Sequence, residues 1–133
     1  METQTIYDFF YQKLAANSVI QADCNGRIYE DEAPQEADYP FITLSILSME
    51  DITSINNARC SVSGEVLVKV VGLGNDMTRL TRLDNAIDAV LQNHAGGDGV
   101  VTVTRVQPYR VGGYENGILY KNLGGIYAVE TGV

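Results

Sequence analysis

The sequence predicts an α+β fold: about four strands in a mainly antiparallel sheet, with two helices packed on one face. Two windows, at 3–16 and 77–93, carry apolar residues at helical spacing. Others, at 41–47, 60–71 and 100–109, are rich in β-branched residues, and 60–71 alternates with period two. The resulting order, α-β-β-α-β-β, lacks the βαβ rhythm of a parallel sheet. With 133 residues, no internal repeat and no linker-like stretch, the chain reads as a single domain over 1–133.

Each element has its own grounds. Thr3 or Thr5 caps the first helix, and Ile6, Phe9, Phe10 and Leu14 form its apolar face. Asn17 and Ser18 end it, Val19-Ile20 opens a short extended stretch, and Asn25-Gly26 turns the chain. Residues 27–40 are polar and acidic, and Pro34 and Pro40 disfavour helix before them, so a surface loop is expected. In FITLSIL, Ile42, Leu44 and Ile46 form the core face. In CSVSGEVLVKVV, Val62, Val66, Val68 and Val70 share a face with Gly64, the half-buried pattern of an antiparallel strand. The polar segment 48–59 between them reads as a long hairpin connection.

Gly72-Leu73-Gly74-Asn75 breaks that strand, and Asn75 or Asp76 caps the second helix. Its stripe of Leu80, Leu83, Ile87, Val90 and Leu91 is expected to pack on the sheet. Gly96 or Gly97 is expected at the left-handed position that ends it. VVTVTRVQPY follows as a strand that Pro108 either ends or places at an edge. Residues 110–117 read as a turn-rich loop. ILYKNLGGIYAVE closes the chain as one strand bulged at Gly124-Gly125, or as two short ones.

Seventeen acids against nine bases give a formal charge of −8, which repels nucleic acid and argues against a dedicated DNA or RNA binder. Between Asp23 and Asp51 every charged residue but Arg27 is acidic, so this tract is either a solvated loop or an acidic surface. No apolar run approaches the ~20 residues of a membrane span. The N-terminus, METQTIYDFFYQKL, lacks the basic-then-apolar pattern of a signal peptide. Folding in a cytosol is expected, with Cys24 and Cys60 reduced and partly buried.

Chemistry leaves little trace. Two cysteines and one histidine, His94, cannot assemble a usual structural zinc site, and no metal or cofactor is expected. Gly72-Leu-Gly-Asn opens like a dinucleotide fingerprint, but the further glycine it needs is missing from the stretch that runs on to Leu80. No G-x-S-x-G occurs, and neither cysteine has a local activating signature. Asp31-Glu32 and Glu50-Asp51 lie in segments that read as solvated, whereas acid-base pairs need rigid, partly buried carboxylates. The sequence holds no enzyme signature. A different signal is the crowding of Tyr109, Tyr114, Tyr120 and Tyr127 beside Arg110, which suits an interface as well as ordinary packing.

The plan resembles that of the tail terminator, or tail completion, proteins of long-tailed bacteriophages and prophages. The likeness rests on the N-terminal helix, the acidic loop leading through Tyr39-Pro40-Phe41-Ile42 into a strand, and the valine-rich VSGEVLVKVVG. RLTRLDNAIDAVLQ, a glycine turn and two closing strands complete it, and it is clearest over residues 39–131. The resemblance implies a structural subunit that closes into a ring, often a hexamer. Such a ring caps the tail tube, stops its growth and presents a surface to the head connector. The implied partners are further copies of the chain, the tail tube protein and the head-completion protein. DNA passes through without specific binding, and no membrane is involved. The implied location is the head-proximal end of the virion tail, after assembly in the host cytoplasm.

Six copies at −8 carry −48, and an acidic wall would not trap a polyanion in transit, which makes Glu30, Asp31 and Glu32 candidates for facing the channel. Ring closure needs head-to-tail contacts, and Arg110, Tyr114 and Glu115 are the candidates for touching a neighbour or the tube. Two alternatives stay open: a head-completion or adaptor ring on the portal, and a monomeric cytosolic binding module.

Overall fold

Helical and period-two spacing sort the apolar side chains onto one buried interface between a sheet and a layer of helices. The computed structural model describes residues 2–53, 59–92, 94–95 and 100–132. The order is α1 (Glu2–Ala15), α2 (Ser18–Cys24), β1 (Ile28–Glu30), β2 (Phe41–Thr53), β3 (Arg59–Leu73), α3 (Met77–Leu91), β4 (His94–Ala95), β5 (Val100–Glu115) and β6 (Ile118–Gly132). The strands form one sheet in the order β1-β2-β3-β6-β5-β4. Only the β1–β2 pair is parallel.

The core face of the sheet is the expected one. Ile42, Leu44 and Ile46 stand beside Val70, Val68 and Val66, which stand beside Leu123, Gly125 and Tyr127. Ile6, Phe10 and Leu14 of α1, Ile20 and Cys24 of α2, and Leu80, Leu83, Ile87 and Leu91 of α3 complete one buried cluster. Each such aliphatic side chain contributes about 1.5–3 kcal/mol by leaving water. All the helices therefore cover the same face, and the other face carries none.

Several expectations need correction. Among the described residues the sheet has six strands rather than about four, because two short strands, β1 and β4, flank the four long ones. Three helices rather than two stand among the described residues. Asn17 ends α1 but also caps α2: its Oδ1 accepts from the N–H groups of Val19 and Ile20 at 3.0 and 3.1 Å, so Val19-Ile20 is helical. Part of the expected 27–40 loop is strand, with Ile28–Glu30 hydrogen-bonded along β2. The expected 48–59 connection is mostly ladder too, since β2 continues to Thr53 and β3 begins at Arg59.

The loop expected over 110–117 is also a ladder that turns at two residues. Asn116 (φ 51°) and Gly117 (φ 78°) both take the left-handed backbone that a tight hairpin of right-twisted strands requires. No bulge falls at Gly124-Gly125; the register shifts lie on β5 instead, one of them between Arg105 and Gln107. Gly124 has a different role. A Cβ there would run into the Val68 carbonyl, so only glycine lets β6 lie this close to β3. Finally, α3 ends at Gln92 in an extended conformation, while Gly96 and Gly97 lie outside the described residues.

Candidate functional site

Each long outer strand is covered along one half of its edge by a short strand and a side chain. On β2, β1 covers Ile42–Leu44, and the Asp31 N–H donates to the Leu44 carbonyl at 2.7 Å. The Ile46 N–H then donates to the Tyr7 hydroxyl at 3.3 Å, and that hydroxyl donates to Asp31 Oδ1 at 2.9 Å. Burial holds the Tyr7 hydroxyl above its usual pKa, so it stays a donor. Beyond Ile46 no strand among the described residues covers β2, which runs on to Thr53.

On β5 the seal lies at the other end. β4 covers Thr102 and Val103, and Gln92 Oε1 accepts from the Arg105 N–H at 2.7 Å. From there β5 runs to Glu115 with no covering strand among the described residues. Pro108 sits in this outer stretch, where a residue lacking an N–H is tolerated. The two seals stop at one level of the sheet, because Ile46 pairs with Val66, Val66 with Tyr127, and Tyr127 with Arg105. The open stretches therefore occupy diagonally opposite corners.

Both corners expose apolar side chains. Leu47, Met49 and Ile52 are exposed on β2; Val106, Val111 and Tyr114 are exposed on β5, with Ile118 beside them. Tyr114, at 76 %, is the most exposed of the large apolar residues. The β2 corner carries Glu50 and Asp51, and the β5 corner carries Arg110 and Glu115. Open apolar edges are templates for pairing that monomeric proteins usually blunt.

The helix-free face holds an aromatic cleft at its lower end. Phe41 meets Tyr29 edge-on at 5.9 Å between ring centroids, Tyr39 lies 5.4 Å from Phe41, and Tyr120 lies 5.6 Å from Tyr39. With Asp31, Glu32, Thr43, Lys69 and Asn122, the rings of Tyr39, Phe41 and Tyr120 border a cleft of about 750 Å³. Thr43 Oγ1 and Asn122 Oδ1 are buried there without a hydrogen-bond partner. The lining contains no histidine or cysteine.

Polar groups also meet beneath α3, on the core side. The Tyr127 hydroxyl donates to Asp88, the Arg105 Nη1 lies 3.8 Å from Asp88, and the Arg105 Nη2 donates to the Gly124 carbonyl at 3.2 Å. Asp84 Oδ1 and Arg105 Nε are buried there without hydrogen-bond partners. Burial raises the Asp84 carboxyl above its usual pKa, with the Arg105 charge opposing the shift. These groups hold α3 to β5 and β6. Among the described residues no group of three His, Cys, Asp or Glu side chains is placed to hold a metal ion, and no helix is long and apolar enough to cross a membrane.

The sequence-predicted residues fall in two places. Glu30 ends β1, Asp31 follows at φ 62° in the grip of Tyr7, and Glu32 is exposed beside the aromatic cleft. Arg110 and Tyr114 are exposed on the open half of β5, and Glu115 ends that strand, its side chain outside the described residues. Sequence reasoning missed Tyr7 and Gln92 as edge seals, since neither carries a local motif. Cys24 is buried and free, and burial pushes its thiol up to about 11.

No family model matches the chain, and no curated protein sequence matches it. Solved structures do. A chain of the virion of a native gene transfer agent particle superposes with a TM-score of 0.71 at 15% sequence identity, over 92% of this chain and 92% of that one. The two share a fold from end to end.

Proposed function

We propose that this chain is a structural subunit of a phage-type virion that forms a ring on the end of the tail tube, ends tube growth and offers the surface on which the head joins. The observation that carries the reading is the end-to-end fold shared with a chain of a gene transfer agent virion. The resemblance of the sequence to tail terminators gives the finer role. In this reading the chain performs no bond-making chemistry, and its work is fitting against copies of itself, the tube protein and the connector.

The sheet supports the reading physically. Helices occupy one face, so copies set side by side present a wall of strands on one side and helices on the other. Glu32, Glu50, Glu65 and Glu130 all stand on the helix-free side, against Lys69. A ring turning this face inward has an acidic lumen that lets DNA slide rather than stick. Asp31 contributes less to that surface than its neighbours, because Tyr7 holds its carboxylate.

Polymerising the cognate tail-tube protein with and without the chain tests the role. The expected result is tubes that cease to elongate, each with the chain at one end. Elongation at an unchanged rate, with no chain on the tubes, contradicts it. Six copies of a 14.5 kDa chain make an 87 kDa ring, whereas a twelve-fold portal adaptor would reach 174 kDa, so native mass spectrometry separates the two virion roles.

A further inference from the structure

We infer that the Arg110 guanidinium of one copy seats in the aromatic cleft of the next, stacked on Tyr39 and Tyr120 and paired with the Glu32 carboxylate. The inference rests on the ring reading above and names a contact that holds each copy to its neighbour.

The cleft has the chemistry for a guanidinium. Tyr39 and Tyr120, 5.6 Å apart between ring centroids, offer π faces on which a planar cation stacks. Asp31 in the lining already accepts from Tyr7, which leaves Glu32 as its exposed carboxylate for a partner. Glu36 and Asp38 follow in the same exposed loop, against one base, Lys69, in the lining. The field at this wall therefore draws a cation.

The cleft floor carries a second, independent mark. Thr43 is 3 % exposed, and its Oγ1 has no hydrogen-bond partner among the described residues. Asn122 Oδ1, also in the lining, has none either. Unpaired buried oxygens are costly, and rotation of Thr43 about χ1 or of Asn122 about χ2 turns each to meet an entering donor. A guanidinium brings several N–H donors in one plane, enough for Glu32 and both oxygens.

Arg110 is the guanidinium the fold leaves over. Arg27 donates to the Pro40 and Asp23 carbonyls, Arg79 pairs with Asp76, Arg82 with Asp23, and Arg105 with Asp88. Arg110 is exposed and has no side-chain partner among the described residues. A Cβ on Gly112 would lie 2.9 Å from the Lys121 Nζ, so a second positive charge stands near Arg110 on the same face.

Level and face agree with the pairing. Arg110 is opposite Leu123, Leu123 opposite Val70, and Val70 opposite Ile42, between the Phe41 and Thr43 of the cleft. Rotation about a ring axis keeps height along it, so groups that meet between strands set along the axis must share a level. Arg110 lies on the helix-side face with Leu123, whereas the cleft opens on the helix-free face. Overlapping β5 of one copy on the helix-free side of the next turns Arg110 toward the cleft. The two surfaces differ, so the contact is head-to-tail, the kind that closes rings.

Crosslinking in rings assembled on the tube tests the seat with Arg110 and Glu32 intact. Chains carrying Gly112→Cys and chains carrying Gln35→Cys, both with Cys60→Ser, are mixed and treated with a short bis-maleimide. The expected product is a dimer of one chain of each kind. Assembled rings that give no such dimer, or only dimers of like chains, overturn the seat and leave the ring reading intact. Chains that stay monomeric with tube present overturn both. Charge exchange avoids any dependence on cysteine placement. Arg110→Glu should cut the ring fraction in native mass spectra by about tenfold, and Glu32→Arg in the same chain should recover it. An unchanged ring fraction for Arg110→Glu overturns the seat, and a loss that Glu32→Arg does not reverse overturns the pairing with Glu32.

Discussion

The Tyr127 hydroxyl donates a 3.0 Å hydrogen bond to Asp88 Oδ1, joining the fully buried ring of β6 to α3. The bond supplies the only polar atom of that side chain with a partner, and burial keeps the hydroxyl protonated far above the usual tyrosine range. Tyr127→Phe should therefore cost about 1.5–2 kcal/mol, the lower part of the range for a bond to a charged group, because Asp88 keeps some access to water. A lower urea midpoint with an unchanged slope is the expected reading; an unchanged midpoint contradicts it.

Adjacent glycines should differ sharply. A Cβ on Gly124 meets the Val68 carbonyl, which is backbone held in the β3–β6 ladder, whereas on Gly125 its nearest neighbour is the Arg105 Nε at 2.8 Å, part of a side chain that can shift. Gly124→Ala should prevent folding or cost more than about 3 kcal/mol, and Gly125→Ala should cost clearly less. Equal losses in thermal denaturation would contradict this account of the close strand approach.

Asp84 supplies a pH dependence. Burial raises its pKa in the folded state, so the folded chain holds the proton more tightly than the unfolded one. Stability from this group is then greatest below the unfolded pKa near 4 and falls as pH rises toward the folded value. Asp84→Asn should raise the melting temperature at pH 7 and shift it little at pH 4. A larger gain at the lower pH would reverse the sign and refute the burial argument.

Cys24 is buried among α1, α2 and α3 side chains, with its thiol pushed up to about 11. Only thiolate reacts readily. In a Cys60→Ser background, labelling of Cys24 by iodoacetamide at pH 8 should be slow in the folded chain and fast in urea. Equal rates would place the thiol at the surface.

The fold was legible wherever one periodicity dominated. The Leu80–Leu91 stripe, the Val62–Val70 alternation and the Ile42, Leu44, Ile46 face all pack into or against the core, although Phe41 and Thr43 on the other face of β2 are buried as well. The misses came from short or double-duty signals. Asn17 reads as a stop, yet its side chain also starts α2, and strands as short as β1 are defined by partners distant in sequence. Asn116-Gly117 was a strong hairpin signal flanked by strand residues, masked by the glycines at 112–113. The edge seals could not be read locally, since Tyr7 meets Ile46 and Gln92 meets Arg105 only in the folded chain.

Electron microscopy of tail tubes assembled with the chain bears most directly on the central idea, that this is a self-associating ring subunit. The expected image is a six-fold collar on one tube end. A bare tube end, or the chain bound there as an isolated copy or a two-fold pair, would contradict it.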